Sequence, residues 1–315
     1  MARLFEIAEF KKLFVPQETT KNGQVTIIGG SKLFHGAPLL SLKVASRIVD
    51  MVFFSSPEPS VGKVAEQFKS KLFSFIWVPW EEVDAYIAKS DSVLIGPGFM
   101  RFGSEKTPED KRDYSYHEAG KRSREITERL LKKFPNKRWV IDGGSLQVMD
   151  VDWIPRNAIL TPNQKEFEIL FGDVRWDVGS ELGSGGELLG NQSSSSQPIT
   201  KPTSHNTFSP SYIIEMAKKY NCIINAKGPV NIVCSPTDCV EIIGGNAGLT
   251  KGGVGDVLAG LTVALLAKNE PFLAAASASY ICKAAADELY KKVGINYNAD
   301  DLASQIPETL HKYQS

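Results

Sequence analysis

The chain has 315 residues, of which 42% are hydrophobic, and its 36 basic and 36 acidic residues cancel to a formal net charge of zero. This composition suits a soluble globular protein that is long enough for a large core. A balanced charge gives no basis for expecting nucleic acid or an anionic membrane as a partner. No apolar run reaches the roughly 18 residues that a membrane span requires, and the N-terminus has no apolar signal-peptide core, so we expect a cytoplasmic protein.

Short apolar runs that end in Gly, Ser or Pro predict buried strands at 25–30, 51–56, 73–78, 92–98, 138–144 and 158–162. Helical patterns lie among them at 37–49, 61–72, 80–90 and 117–134. After a helix at 212–220, the runs at 222–228, 231–235 and 239–243 predict a hairpin or meander, and helices follow at 254–268, 271–293 and 299–305. This alternation predicts an α/β fold with a doubly wound, mostly parallel central sheet and helices on both faces.

Two segments differ from this pattern, although we expect residues 1–315 to form a single domain. Residues 1–20 suggest an N-terminal arm that docks on the body. Residues 179–209 contain one aromatic residue and many Ser and Gly, so they predict a disordered or mobile insert. A lid is one interpretation of this insert, and a plain insertion is the simpler one.

The four cysteines contain no CxxC pair, and they are Cys222, Cys234, Cys239 and Cys282. We expect them to be buried free thiols. No cluster of His, Cys and Asp has metal-ligand spacing, so we expect no structural zinc.

The segment NAGLTKGGVGDVLAGL at 246–261 places five glycines around one acid, Asp256, before an apolar helix. Glycine lets a backbone approach a phosphate closely, and the unpaired N–H groups at a helix start attract anions. Asp256 in the first helical turn can therefore take a proton from a hydroxyl that attacks a phosphate. The simpler alternative is that Asp256 only complements the helix dipole.

Ligands of a doubly wound sheet bind outside the carboxyl ends of the strands. The loops predicted at that edge carry small or polar residues, at 29–38, 96–99, 142–145, 161–166 and 227–231. Asp142 lies at a strand tip.

Several residues of these loops have two interpretations. Thr161 predicts an N-cap with Pro162 at the first helical position, so Asn163 is either part of a helix start or a ligand contact. Lys227 is either a phosphate ligand or a solvated side chain. His35 is more simply a lining residue than a base or a metal ligand.

Taken in order, GGS…GAP, GPG, DGGSL, LTPNQKEFE, KGP and NAGLTKGGVGDVLAGL resemble the loops of the NAD(P)H-hydrate dehydratases, the carbohydrate-kinase-like domain of the ribokinase-like superfamily. The resemblance covers residues 20–305 apart from the 179–209 insert, and the last motif is its most specific part. The chain is similar to the stand-alone form of the family, without an epimerase domain.

The resemblance implies a hydro-lyase of metabolite repair. ADP or ATP would phosphorylate the C6 hydroxyl of hydrated NAD(P)H, called NAD(P)HX, and elimination of phosphate would restore NAD(P)H. Asp256 matches the catalytic acid of the family's GGTGD motif, and the backbone amides of Gly253 and Gly255 would stabilise the developing charge.

The resemblance also implies the binding residues. The substrate contacts would be Ala37, Gly98, Asn163, Asp142 and Asp256. The nucleotide contacts would be Lys227, Gly228, Pro229, Val230, Asn231 and Gly255. We expect Mg²⁺ with the nucleotide, with Glu166 as its candidate ligand, and leave open whether the chain forms a homo-oligomer.

The chain departs from the family motifs at four loops. Val254 replaces a threonine of GGTGD, Asn163 replaces the histidine of HPGE, Asn231 replaces the threonine of KGxxT, and Gly144 replaces the second acid of DAD. Two alternatives therefore stay open: a small-molecule kinase of the same fold, acting on a thiazole, a pyrimidine or a sugar alcohol, and a catalytically inactive nucleotide-binding protein.

Overall fold

The computed structural model describes residues 2–13, 21–68, 72, 74–102, 115–172 and 208–314. The strands are β1 (Arg3–Leu4), β2 (Gln24–Ile28), β3 (Met51–Ser55), β4 (Ile76–Trp77), β5 (Ser92–Ile95), β6 (Arg138–Ile141), β7 (Ile159–Leu160), β8 (Ile223–Ala226), β9 (Asn231–Cys234) and β10 (Cys239–Ile242). The helices are α1 (Ile7–Phe10), α2 (Gly36–Ala45), α3 (Pro59–Phe68), α4 (Val83–Lys89), α5 (Ser115–Lys133), α6 (Gly143–Val148), α7 (Gln164–Phe171), α8 (Pro210–Tyr220), α9 (Val254–Leu266), α10 (Pro271–Val293) and α11 (Ala299–Gln314).

The strands form one sheet of order β1-β10-β9-β8-β7-β6-β5-β2-β3-β4. Among the described strands, β9 runs antiparallel to both of its neighbours, and every other pairing is parallel. The chain moves outward from β2 to β4 and then returns to β5 on the other side of β2. This confirms the predicted doubly wound, mostly parallel sheet and puts the topological switch point, where such sheets bind ligands, between β2 and β5.

Each face of the sheet carries its own hydrophobic cluster. Successive side chains of a strand point to opposite faces, so Val25 and Ile27 of β2 belong to one cluster and Ile28 to the other. Residues of α2, α9, α10 and α11 complete the first cluster, and residues of α4 to α8 complete the second. The strands read as continuous apolar runs because they are covered on both sides.

Helix α9 is held firmly against α2. A Cβ at Gly260 would lie 2.5 Å from the Cα of Ser41, so the two backbones approach as closely as glycine permits. The hydroxyl of Ser41 also donates to the backbone carbonyl of Asp256 at 2.7 Å. The start of α9 is therefore fixed relative to the rest of the sheet.

Two predicted element boundaries at the ligand edge of the sheet are wrong. Strand β6 ends at Ile141, before 144, because Asp142 caps α6. The N-cap of α7 is Asn163 and not Thr161, because the Asn163 side chain accepts the backbone N–H of Glu166 at 3.0 Å. The Thr161 hydroxyl donates instead to Asp142 Oδ1 at 2.7 Å.

Helix α11 continues past the predicted end at 305 and contains Pro307. A proline cannot donate to the carbonyl four residues earlier, which here belongs to Ala303. Arg47 Nη1 donates to that carbonyl at 3.2 Å, so the freed acceptor is satisfied and the helix goes on.

The prediction of four free thiols is wrong for two of them. Cys234 and Cys239 are joined by a disulfide, because the antiparallel pairing of β9 and β10 puts them opposite each other with their Cα atoms 4.1 Å apart. Cys222 and Cys282 are free and buried, as expected.

The N-terminal residues lie at one edge of the sheet. Strand β1 pairs with β10, and Phe10 of α1 is buried against Tyr280 of α10 and Tyr313 of α11. Residues 14–20 of the predicted arm and 179–207 of the predicted insert lie outside the described residues. Across the described parts of the chain, no helix is both long enough and apolar enough to cross a membrane.

Candidate active site

Four charged residues from four different loops meet at the carboxyl edge of the sheet. They are Asp142, Glu166, Lys227 and Asp256, all of which the sequence had singled out. Lys227 Nζ lies 2.8 Å from Asp142 Oδ1 and 3.6 Å from Glu166 Oε2. A Cβ at Gly255 would lie 3.2 Å from the same Nζ, so the ammonium also lies beside the start of α9. We call these four residues the charged cluster.

Lys227 is the cation of the charged cluster. Burial by itself lowers the pKa of this lysine, but the carboxylates of Asp142 and Glu166 outweigh burial and raise it, so the ammonium stays charged. Its backbone N–H donates to the carbonyl of Pro162 at 2.8 Å, which fixes the loop. Of the two interpretations of Lys227, the solvated side chain is therefore wrong.

Asp256 lies in the first turn of α9, where it is partly buried. Burial and the nearby carboxylate of Asp142 raise the pKa of Asp256 to about 7, although Lys227 partly opposes them. A carboxyl with such a pKa exchanges a proton readily near neutral pH, which is the property that a general base requires.

The residue before α9 has to be glycine. Gly253 has φ of +89°, and a Cβ there would come within 2.5 Å of Leu40 Cδ1 and 2.9 Å of Ala299 Cβ. The first N–H groups of any helix have no intrahelical acceptor, and at the start of α9 these include the N–H of Gly255. The N–H of Asp256 is hydrogen-bonded to its own carboxylate. The backbone thus offers donors for an anion next to the carboxylate of Asp256.

A cavity of about 580 Å³ opens beside the charged cluster. Six predicted site residues line it: Asn163, Lys227, Gly228, Pro229, Asn231 and Gly255. Val230, also predicted, does not line it and is 38% exposed. The volume suits a small-molecule site such as a nucleotide.

Asn231 closes the loop along one wall of this cavity. Its Oδ1 accepts the backbone N–H of Gly228 at 3.1 Å, and its Nδ2 donates to the hydroxyl of Ser279 at 3.1 Å. An asparagine can do both because its amide carries a donor and an acceptor. Asn231 therefore stabilises this loop by hydrogen bonds, at the position where the family motif has threonine.

Much of the cavity wall was missed by sequence reasoning. The loop after β10 contributes residues 244–247 together with Leu249 and Thr250, and the helices contribute Leu258, Cys282 and Lys283. Two signals were available: the motif at 246–261, which contains most of these residues, and Lys283, a charge inside the Ala-rich run of α10.

Ala37 and Gly98 lie at the switch point and line neither this cavity nor a second one of about 830 Å³ at the ends of β2, β3 and β5. Gly98 has φ of +73°, and a Cβ there would lie 2.6 Å from the carbonyl of Phe34. His35 makes a hydrogen bond to the hydroxyl of Ser60 at 3.1 Å.

No group of three or more His, Cys, Asp or Glu side chains that could hold a metal ion occurs within the described ranges. Glu166, the predicted Mg²⁺ ligand, accepts the backbone N–H of Asn163 at 2.9 Å and the amide of Gln147 at 3.3 Å. Lys227 lies beside the same carboxylate. These contacts do not favour a dication on Glu166, so this ligand stays a prediction.

The chain matches known proteins along most of its length. It is 33% identical over 304 residues to the bifunctional NAD(P)H-hydrate repair enzyme Nnr of Methanocaldococcus jannaschii. The aligned region covers 93% of this chain and 49% of that protein. It is 25% identical over 333 residues to the ADP-dependent (S)-NAD(P)H-hydrate dehydratase of Nitrosopumilus maritimus, and the aligned region covers 99% of each chain. The chain thus spans about half the length of the Methanocaldococcus jannaschii relative.

The fold also matches solved structures. One is the ADP/ATP-dependent NAD(P)H-hydrate dehydratase of Bacillus subtilis co-crystallised with ATP and Mg²⁺, with a TM-score of 0.72, 19% identity and 99% coverage of both chains. Another is a ribokinase-like superfamily protein of Enterococcus faecalis, with a TM-score of 0.73, 18% identity and coverage of 100% of this chain and 97% of that chain. These likenesses confirm the ribokinase-like fold. The family model described as NAD(P)H-hydrate dehydratase matches residues 25–308. Together with the Asp256 site, this match establishes that the chain belongs to the NAD(P)H-hydrate dehydratase family.

Proposed function

We propose that this chain dehydrates NAD(P)HX to NAD(P)H at the expense of ADP or ATP. The observation that carries the proposal is Asp256, a partly buried carboxyl with a pKa of about 7 beside the N–H groups at the start of α9 and next to a nucleotide-sized cavity. Membership of the dehydratase family supports the choice of substrate.

The first step would be phosphoryl transfer. The ionised carboxylate of Asp256 takes the proton of the C6 hydroxyl, and the oxygen attacks the terminal phosphorus of the nucleotide. The bond from that phosphorus to the leaving nucleotide oxygen breaks. The N–H groups of Gly253 and Gly255 and the ammonium of Lys227 stabilise the negative charge on the transferred group.

The second step would be elimination. The C6–O bond breaks, phosphate departs with the bonding electrons, and the neighbouring ring carbon loses a proton to solvent water. The new double bond restores the dihydronicotinamide. Ala37, Gly98, Asn163 and Asp142 are proposed to hold the substrate, since their loops surround the same edge of the sheet.

Mg²⁺ is proposed to arrive with the nucleotide, held chiefly by phosphate oxygens and water, as this ion usually is. It would neutralise part of the phosphate charge. The cytoplasmic location and a homo-oligomeric state stay predictions.

The test is a repair assay. Purified protein is incubated with chemically hydrated NADPH, MgCl₂ and either ADP or ATP, and absorbance at the dihydronicotinamide band is followed. We expect a rise that needs nucleotide and that is lost in Asp256→Asn. No rise with either nucleotide would contradict the proposal.

The altered loops around Asn163, Asn231 and Val254 favour a second candidate, a ribokinase-like small-molecule kinase on a thiazole, a pyrimidine or a sugar alcohol. Such an enzyme would stop after phosphoryl transfer, so a stable phosphorylated product would identify it. Nucleotide binding without turnover in either wild type or Asp256→Asn would identify an inactive binding protein.

A further inference from the structure

Lys283 of α10 is a second buried lysine in the nucleotide cavity, separate from the charged cluster. It is 4% exposed and lines the cavity wall. Its Nζ donates to the carbonyl of Pro229 at 2.7 Å and to the carbonyl of Gly244 at 3.0 Å. These carbonyls belong to two different loops, so one ammonium ties both walls of the cavity together.

Lys283 is the centre of a polar stripe on α10. Ser279, one turn earlier, accepts the side-chain N–H of Asn231 at 3.1 Å. Asp287, one turn later, accepts the backbone N–H of Gly245 at 3.0 Å. Residues four apart share one helix face, so a single face of α10 holds both loops of the cavity.

An ammonium group carries three N–H donors, and two of the three on Lys283 are used by carbonyls. Within the described ranges the third has no hydrogen-bond acceptor. A buried donor without a partner is costly, and ligand groups commonly satisfy such donors. The third N–H of Lys283 is therefore available to a molecule in the cavity.

The two ends of the cavity wall differ in chemistry. Lys227 and the start of α9 supply positive charge and free N–H groups, which suit phosphates. Lys283 lies beside Leu249, since a Cβ at Gly245 would be 2.5 Å from Leu249 Cδ1 and 3.2 Å from Lys283 Cγ. Leu258 and Cys282 also line the cavity, and such apolar side chains suit the flat face of a base.

We propose that Lys283 is a nucleoside-binding residue, which donates its third N–H to an acceptor atom of the purine or ribose of the nucleotide. Purine ring nitrogens and ribose oxygens are both acceptors for such a donor. This inference rests on the proposed nucleotide-dependent function and adds a residue that recognises the nucleoside end of the phosphate donor.

The first test measures binding in the absence of NAD(P)HX. Dissociation constants for ADP and for inorganic tripolyphosphate are measured by calorimetry on wild type, Lys283→Met and the control Lys292→Met, whose wild-type lysine lies on the same helix and donates to Gln305. We expect ADP to bind about tenfold more weakly to Lys283→Met, as for a lost charge-assisted hydrogen bond, with tripolyphosphate unchanged. Equal ADP affinity in Lys283→Met and wild type, or an equal loss for both ligands, would overturn the proposal.

A second measurement needs no variant and so does not depend on the folding of Lys283→Met. Wild type is titrated with ADP analogues in which one acceptor is removed: the 1-deaza, 3-deaza and 7-deaza bases and the 2′-deoxy and 3′-deoxy sugars. We expect one analogue to bind about tenfold more weakly than ADP. Uniform affinity across the series would reject the proposal, whereas ADP binding through Lys283 without dehydration of NADPHX would reject only the proposed function.

Discussion

The side chain of Asp256 shares a buried space with one cation and two further carboxyls. Asp142 raises the pKa of Asp256 and Lys227 lowers it, so the two neighbours act in opposite directions on the same proton. Lys227 also gives the buried carboxyls of Asp142 and Glu166 a positively charged partner. The charged cluster therefore serves both the fold and the proposed chemistry.

The pH dependence of turnover follows from this arrangement. Only the ionised form of Asp256 can accept a proton, and its pKa is about 7. We predict that kcat/KM for NADPHX rises about tenfold per pH unit below pH 7 and levels off above it. A rate profile from pH 5 to pH 9 at saturating nucleotide measures this, and a flat profile over that range would contradict it.

The same carboxyl should make the free energy of unfolding fall as pH rises, whereas turnover rises. The pKa of Asp256 is raised in the folded state from its ordinary value of 3.8 to about 7, so ionisation costs folding free energy as pH rises between these values. We predict that Asp256→Asn is more stable than wild type at pH 8 by on the order of 1–3 kcal/mol, and that this advantage shrinks toward pH 4.

Urea unfolding of both proteins at pH 4, 6 and 8 measures the difference. Asp152→Asn, at an exposed position, is the control variant. A constant difference between Asp256→Asn and wild type at the three pH values would show that ionisation of Asp256 carries no folding cost.

At the scale of single elements, the first turn of α9 offers a comparison between two glycines. A Cβ at Gly255 would lie 3.2 Å from Lys227 Nζ, whereas a Cβ at Gly252 meets nothing within 4 Å. We predict that Gly255→Ala displaces the ammonium and lowers kcat by about tenfold or more, with a much smaller effect from Gly252→Ala. Steady-state kinetics with thermal unfolding checks this, and equal kcat in the two variants would contradict it.

At the ligand edge of the sheet, the features that depend only on local sequence pattern were predictable. Apolar runs predicted the strands, and loop composition placed Asp142, Lys227 and Asp256 at their ends. The ion pairs of the charged cluster were not predictable, because they depend on strand order, which local periodicity does not encode. The Cys234–Cys239 disulfide depends in the same way on the register of β9 and β10. Lys283 was missed because the surrounding alanines of α10 indicate only helix packing.

At the scale of the whole molecule, the sheet brings the site together and the helices hold it. Strands β5, β6, β7 and β8 are hydrogen-bonded neighbours, so the loops that follow them converge although they are far apart in the chain. Helix α9 supplies Asp256 and packs on α2, and α10 holds the loops that line the cavity. The outer side of α10 is in turn covered by the N-terminal residues through Phe10.

The last prediction concerns this N-terminal contact. Phe10 is fully buried, with its ring centroid 5.8 Å from that of Tyr280 and 6.1 Å from that of Tyr313, whereas Ile7 of the same helix is 47% exposed. We predict that Phe10→Ala lowers the free energy of unfolding by about 3–5 kcal/mol, because a large buried ring is lost and a cavity remains. Ile7→Ala should cost less than about 1 kcal/mol.

Urea denaturation with a common m-value compares the two variants. Because the Ser279–Lys283–Asp287 stripe of α10 holds the loops that line the cavity, Phe10→Ala should also weaken ADP binding, whereas Ile7→Ala should not. A Phe10→Ala protein as stable as wild type would show that α1 does not hold α10 in solution. A destabilised Phe10→Ala protein with unchanged ADP affinity would show that the Ser279–Lys283–Asp287 stripe keeps its position without the N-terminal cover.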